Sequence, residues 1–131
     1  MRILIAEDDH PSARYMSGLL ARLGECVVAE DGELALEAYG CAQEEGRPFQ
    51  LVCLDIMMPR RNGQEVLEEI RKREQQCGVK NGQGVKIIMT TALGDMRSVM
   101  SAYKAGATAY ITKPIMPERL FETICSLGFE A

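Results

Sequence analysis

The run Arg2-Ile3-Leu4-Ile5-Ala6 leads straight into Glu7-Asp8-Asp9. A strand with one face in water alternates apolar and polar side chains. This one does not, so it reads as a strand buried on both faces, as in a parallel sheet. The three acids then fall at its carboxyl end. His10-Pro11 follows, and proline suits the first turn of a helix. Met16, Leu19, Leu20 and Leu23 recur at helical spacing up to Gly24, which is placed to cap the helix C-terminus.

The strand-helix unit recurs along the chain. Residues 26–29, 49–54, 85–91 and 107–112 are further strand candidates. Residues 34–43, and the segments carrying Val66, Leu67 and Ile70, then Met96, Val99, Met100 and Tyr103, then Leu120, Phe121, Ile124 and Leu127, are the helices between and after them. The Met96/Val99/Met100/Tyr103 stripe reads as a core-facing side. Asp31-Gly32 reads as a turn and residues 58–63 as a loop. Residues 75–84, polar and with three glycines, form a long surface connection. Five strands alternating with five helices need crossover connections, which predicts a doubly wound α/β parallel sheet with helices on both faces.

The 131 residues are 47% hydrophobic and 26% charged, which suits one globular domain over residues 1–131. A net charge of -4 argues against direct nucleic-acid binding, which needs a basic face. No apolar run approaches the roughly 18–20 residues of a membrane span, and the opening strand lacks signal-peptide architecture. The expected compartment is the cytoplasm. Five cysteines, an odd number with no C-x-x-C, read as free thiols. A lone histidine, His10, rules out a two-histidine metal motif.

In open α/β sheets ligands sit outside the carboxyl ends of the strands. The residues expected there are Glu7, Asp8 and Asp9, then Asp55, then Thr90 and Thr91, then Lys113. Clustered carboxylates repel unless a cation neutralises them. Oxygen ligands of this kind suit Mg²⁺. An aspartate with a metal on one side and a lysine on the other is a plausible phosphoryl acceptor, and a threonine hydroxyl can hydrogen-bond the phosphoryl oxygens. Counting back from the leucines of the first helix favours Glu7 and Asp8 as the acidic pair, with Asp9 exposed or capping that helix. The rival register pairs Asp8 with Asp9.

Four motifs stand at predicted strand ends in one order: Ile3-Leu4-Ile5-Ala6-Glu7-Asp8-Asp9; Leu54-Asp55-Ile56-Met57-Met58-Pro59 with Asn62-Gly63; Ile88-Met89-Thr90-Thr91-Ala92; and Gly106-Ala107 followed by Ala109-Tyr110-Ile111-Thr112-Lys113-Pro114. In these the chain resembles the receiver domains of response regulators, the CheY-like family of two-component signalling. The resemblance implies a flavodoxin-like (βα)5 fold with strand order 2-1-3-4-5. It implies phosphorylation at Asp55 and Mg²⁺ held by Asp8, by Asp55, by the backbone carbonyl of Met57 and, through a water, by Glu7. Lys113 would pair with the phosphoryl group. Thr91 and Tyr110 would be the switch residues, and the Lys113-Pro114 bond would be cis. The implied partners are a histidine kinase or histidine phosphotransfer protein and an unknown output partner, with no membrane, the chain being a monomer or a phosphorylation-linked dimer. The face made by the fourth helix, fifth strand and fifth helix would change shape. Such a protein is a regulatory phosphoacceptor rather than an enzyme, although it catalyses its own phosphorylation and dephosphorylation.

Other readings meet obstacles in the residues. A phosphatase using an aspartyl-phosphate usually wants a second aspartate two positions after the first, where Met57 stands. A flavodoxin-like cofactor binder needs a phosphate-cradling loop where Glu7-Asp8-Asp9 stands. A receiver degenerated to a binding module would be expected to lack Asp55 or Lys113. The resemblance also implies that the residues two after the acceptor and two after the switch threonine influence how fast the phosphoryl group is lost; here they are Met57 and Leu93, whose side chains cannot hydrogen-bond an attacking water, so a long-lived phosphoaspartate is expected. Arg60-Arg61 reads as a solvated basic spot. Whether the chain is a stand-alone receiver or a piece of a longer regulator stays open.

Overall fold

The computed structural model describes residues 1–92 and 96–130. Strands β1 (Arg2–Ala6), β2 (Glu25–Ala29), β3 (Leu51–Asp55), β4 (Lys86–Thr91) and β5 (Ala109–Thr112) alternate with helices α1 (His10–Leu20), α2 (Gly32–Glu44), α3 (Gly63–Gln76), α4 (Met96–Ala105) and α5 (Pro117–Ser126). The strands form one parallel sheet in the order β2-β1-β3-β4-β5. This is the flavodoxin-like order that the resemblance implied.

The uninterrupted apolar runs are explained by two cores, one on each side of the sheet. Leu4 and Ala6 of β1, with Val52 and Leu54 of β3, pack under α2, α3 and α4. Ile3 and Ile5, with Leu51 and Cys53, pack under α1 and α5 through Met16, Leu20, Leu120 and Ile124. Successive strand side chains point to opposite faces, so Leu51 to Leu54 of β3 enter the two cores in turn, and the whole strand is buried. The edge strand β2 is partly exposed, with Val28 open to solvent.

Caps fix where the helices begin. Asp9 accepts the Ser12 N–H at 3.1 Å to start α1. Asp31, expected in a turn, accepts the Leu34 N–H at 2.8 Å, and Gly32 is the first residue of α2. Asn62 and Glu65 exchange side-chain and backbone bonds at 2.9 and 3.2 Å to open α3, a reciprocal arrangement that satisfies two otherwise orphan N–H groups. The first helix ends earlier than its leucines suggest: α1 stops at Leu20 with Ala21 as cap, and Leu23 and Gly24 lie beyond it. Gly24 instead lets the chain pass close to Met1, whose backbone a Cβ at this position would strike.

The reading of α4 is corrected. Val99 and Ala102 are its buried side chains, whereas Met96, Met100 and Tyr103 are 57%, 59% and 45% exposed. The helix rests on the sheet through a narrower stripe than the apolar periodicity marks. The Lys113-Pro114 peptide bond is cis. Among the described residues no helix is long and apolar enough to cross a membrane.

All five cysteines are free. Cys53 is buried between the sheet and α1, and burial pushes its thiol up to about 12. The thiolate is the nucleophile. A thiol reagent at pH 8 should therefore label the exposed Cys41, Cys77 and Cys125 within the native state and reach Cys53 only on unfolding; mass mapping of the adducts checks this.

Candidate functional site

The carboxyl ends of β1, β3 and β5 bring three charged side chains onto the α1/α5 side of the sheet. Glu7 follows Ile5 in the alternation of β1, Asp55 follows Cys53 in β3, and Lys113 follows Ile111 in β5. The Lys113 ammonium lies 2.9 Å from Glu7 Oε1 and 2.8 Å from Asp55 Oδ2. Both carboxylates are only 5% exposed. Asp55 Oδ1 accepts the Met57 N–H at 3.1 Å, so both oxygens of that carboxylate have partners.

Asp8 is exposed, and carboxylate oxygens of Glu7, Asp8 and Asp55 all lie within 4.8 Å of one another. Asp9 stands apart as the α1 cap, held below the usual carboxylate range by hydrogen bonds from the Ser12 hydroxyl and N–H. Of the two registers open in the sequence, the folded chain assembles Glu7 and Asp8 with Asp55.

The balance of charge is uneven. Burial, together with the hydrogen-bonded Asp55 carboxyl, pushes Glu7 up to about 7 against the opposing pull of Lys113. Burial also works against the Lys113 charge, but its hydrogen bonds to Asp55 and Glu7 outweigh it and hold the ammonium above its ordinary value. One lysine thus serves two carboxylates, and Asp8 has no cationic partner among the described residues. An all-oxygen cluster with excess negative charge, open to solvent on the Asp8 side, fits a hard divalent ion that keeps part of its water.

Thr91 ends β4 and is 2% exposed, with its hydroxyl 3.4 Å from the Ala92 carbonyl. The sheet register pairs Asp55 with its neighbour Thr90, and the Lys113 N–H donates to the Thr91 carbonyl at 2.7 Å. Thr90 and Lys113 both border a largely apolar cavity of about 440 Å³ between α1 and the turn into α5. Tyr110 is half-buried and meets the ring of Tyr103 edge-on, centroids 5.7 Å apart. The Met57 side chain is 71% exposed. Leu93 lies outside the described residues.

Sequence reasoning missed two glycines that hold the loop after Asp55. A Cβ on Gly63 would lie 2.9 Å from the Asp55 carbonyl carbon and 3.0 Å from Ile56 Cα. A Cβ on Gly32 would lie 2.7 Å from the Arg61 carbonyl carbon. Helices α2 and α3 therefore pinch the 56–62 loop through their first residues. Arg60, with φ 68°, adds ion pairs to the buried Asp31 at 3.5 Å and the exposed Glu33 at 3.6 Å. Arg60 is exposed and Arg61 half-buried, and the pairs of Arg60 tie this loop to α2. The Asn-Gly and Asp-Gly pairs carried a turn signal; the close approach behind them depends on the tertiary partner.

The family model for the response regulator receiver domain matches residues 3–125. The chemotaxis protein CheY of Bacillus subtilis is 35% identical over 125 residues, 94% of this chain and 93% of that protein. The probable transcriptional regulator ycf27 of Cyanophora paradoxa is 35% identical over 127 residues, 96% of this chain; the chain spans only 47% of that relative's length. A CheY-like receiver domain protein from Methanospirillum hungatei superposes with a TM-score of 0.77 at 31% identity, covering 95% of this chain and 90% of that one.

Proposed function

The chain belongs to the response regulator receiver domain family, and from that premise we propose that it is a phosphorylation switch in which Asp55 is the acceptor. The observation that carries this reading is the bridging of Asp55 and Glu7 by Lys113, beside an acidic cluster short of positive charge. In the proposed reaction Asp55 Oδ attacks the phosphorus of a phosphohistidine on a sensor kinase or phosphotransfer protein. The new O–P bond forms as the N–P bond breaks, and the imidazole leaves with the electron pair.

Asp8 and Asp55, the Met57 carbonyl and, through a water, Glu7 would hold Mg²⁺, which when bound neutralises charge on the transferring group. Lys113 then exchanges one carboxylate contact for a phosphoryl oxygen. The Thr91 hydroxyl, at the end of β4, hydrogen-bonds another. The added group brings about -1.5 to -2 charge. That local event biases the Thr91 loop and Tyr110, and with them the α4-β5-α5 face, where Met96, Met100 and Tyr103 stand exposed, toward a second arrangement read by an output partner. We assign residues 1–131 to a single regulatory domain acting in the cytoplasm, without direct nucleic-acid contact, as a monomer or a phosphorylation-linked dimer.

Intact mass after incubation with acetyl phosphate tests the proposal. A gain of one phosphoryl group with Mg²⁺, absent when EDTA is added first, is expected; no gain with Mg²⁺ overturns it. Two further outcomes follow. Mg²⁺ at about ten times its dissociation constant should raise the unfolding free energy by about 1.4 kcal/mol. In Asp8→Ala this increment should vanish, while the metal-free stability holds or rises because a like charge is gone; urea titrations with and without Mg²⁺ check both. Met57→Asn places an amide able to orient water beside the phosphorylated residue, and the phosphoryl lifetime of the isolated chain should shorten; decay of the phosphorylated mass measures it.

A further inference from the structure

At the edge of the sheet opposite Asp55, a cavity of about 630 Å³ lies between the last turn of α3, the 78–84 connection and the turn from α4 into β5. Small-molecule sites commonly measure roughly 300–1,000 Å³. Four cations line this one, Arg71, Lys80, Lys86 and Lys104, against a single acid among the described residues, Glu74.

Two of these five charges are structural. Glu74 accepts from Arg71 Nη1 at 2.8 Å and from the Val85 N–H at 2.7 Å. Arg71 Nε donates to the Gly106 carbonyl at 3.0 Å. Together they brace the cavity floor, and Gly84 passes so near that a Cβ there would strike the Glu74 carboxylate. The other three, Lys80, Lys86 and Lys104, form no ion pair among the described residues. The C-termini of α3 and α4 face this end of the sheet, and their dipoles offset about half a charge each. An excess of about two positive charges remains on a chain whose net charge is -4.

The backbone adds donors. The N–H groups of Asn81, Gly82 and Gly84 donate to no protein acceptor among the described residues, and all three residues line the cavity. Lysines bind phosphate as point charges, and free N–H groups in a glycine-bearing loop form anion-binding concavities. A single carboxylate would leave most of this charge unmet; a diphosphate group has both the charge and the number of acceptor oxygens to meet it. We infer that this cavity binds a small diphosphate-bearing molecule at a site separate from the acidic cluster around Asp55.

The test is calorimetric titration of the full chain with inorganic pyrophosphate and with ADP. EDTA is present so that Glu7, Asp8 and Asp55 recruit no metal-bound ligand. Saturable one-to-one binding is expected, weakened about tenfold or more in Lys80→Gln/Lys86→Gln/Lys104→Gln and falling with added salt. Because these lysines are exposed or partly exposed and unpaired, the triple variant should keep the native melting curve and the native gain of mass from acetyl phosphate. Tighter binding of ADP than of pyrophosphate assigns the site to a nucleotide; equal binding assigns it to the diphosphate group alone. Absence of saturable binding, equal binding by the triple variant, or an oligoglutamate peptide binding as tightly as pyrophosphate would overturn the inference.

Discussion

Asp55→Asn should gain no mass on incubation with Mg²⁺ and acetyl phosphate, while the native chain gains one phosphoryl group. The substitution preserves shape and changes chemistry. Asparagine keeps an oxygen that can accept the Met57 N–H, now made at 3.1 Å, and it retains the buried volume at the end of β3. Its amide is no nucleophile toward phosphorus, because the nitrogen lone pair is delocalised and the oxygen carries no full charge. The variant should fold. Lys113 keeps Glu7, 2.9 Å away, and Glu7 loses the neighbouring carboxyl that helps push it up to about 7. A melting curve without metal should therefore match the native one or lie above it. A variant that still gained one phosphoryl mass would place the acceptor elsewhere and end the reading of Asp55.

Some of this was visible in the sequence, and the reason is physical. Both β1 and β3 are buried on both faces, so their apolar runs have no alternation to misread. Glu7 and Asp55 stand at the ends of such runs and Lys113 follows the shorter, partly buried β5, so finding the strands found all three. Counting back from the leucines of the first helix favours Glu7 over Asp9 but leaves the rival register open. That choice is made by geometry: Asp9 is taken by the Ser12 N–H, and Glu7 continues the face of Ile5 toward Lys113. The fourth helix shows the converse. Helical spacing reveals that Met96, Val99, Met100 and Tyr103 share a side, but not how much of that side the sheet covers. Beside Val99 the other buried residue is Ala102, too small to register in an apolar pattern, and the larger side chains are left in water. Phosphoryl chemistry is likewise written in residue types at strand ends, whereas the packing that aims those residues is not. It depends on which backbone passes within van der Waals contact of which, and glycine records only that something does.

Gly63→Ala makes that last point measurable. Gly63 opens α3, and its N–H donates to the Ile56 carbonyl at 2.9 Å. An added Cβ would lie 2.9 Å from the Asp55 carbonyl carbon and 3.0 Å from Ile56 Cα, and nearer still to the Asp55 carbonyl oxygen. These are backbone atoms at the end of β3 and in the residue after it, held to β4 by the Asp55–Thr90 pairing and the Ile56 N–H bond to the Thr90 carbonyl, so no flexible side chain can give way. Either α3 moves outward, loosening Val66, Leu67 and Ile70 in the core, or the end of β3 moves and carries Asp55 away from Lys113. Alanine favours a helix interior over glycine by up to about 1 kcal/mol, but overpacking against fixed atoms costs about 1–3 kcal/mol and occasionally more. The clash should win, lowering the unfolding free energy read from urea titration by about 1–2 kcal/mol. The same displacement should slow phosphoryl uptake from acetyl phosphate even where the variant is fully folded, since proximity and orientation supply much of the rate in such transfers. Gly18→Ala is the control. That glycine lies within α1 with nothing within 4 Å of an added Cβ, so the same exchange should stabilise the chain and leave uptake unchanged. Equal behaviour of the two variants would mean that the loop after Asp55 is not held by close approach of α3.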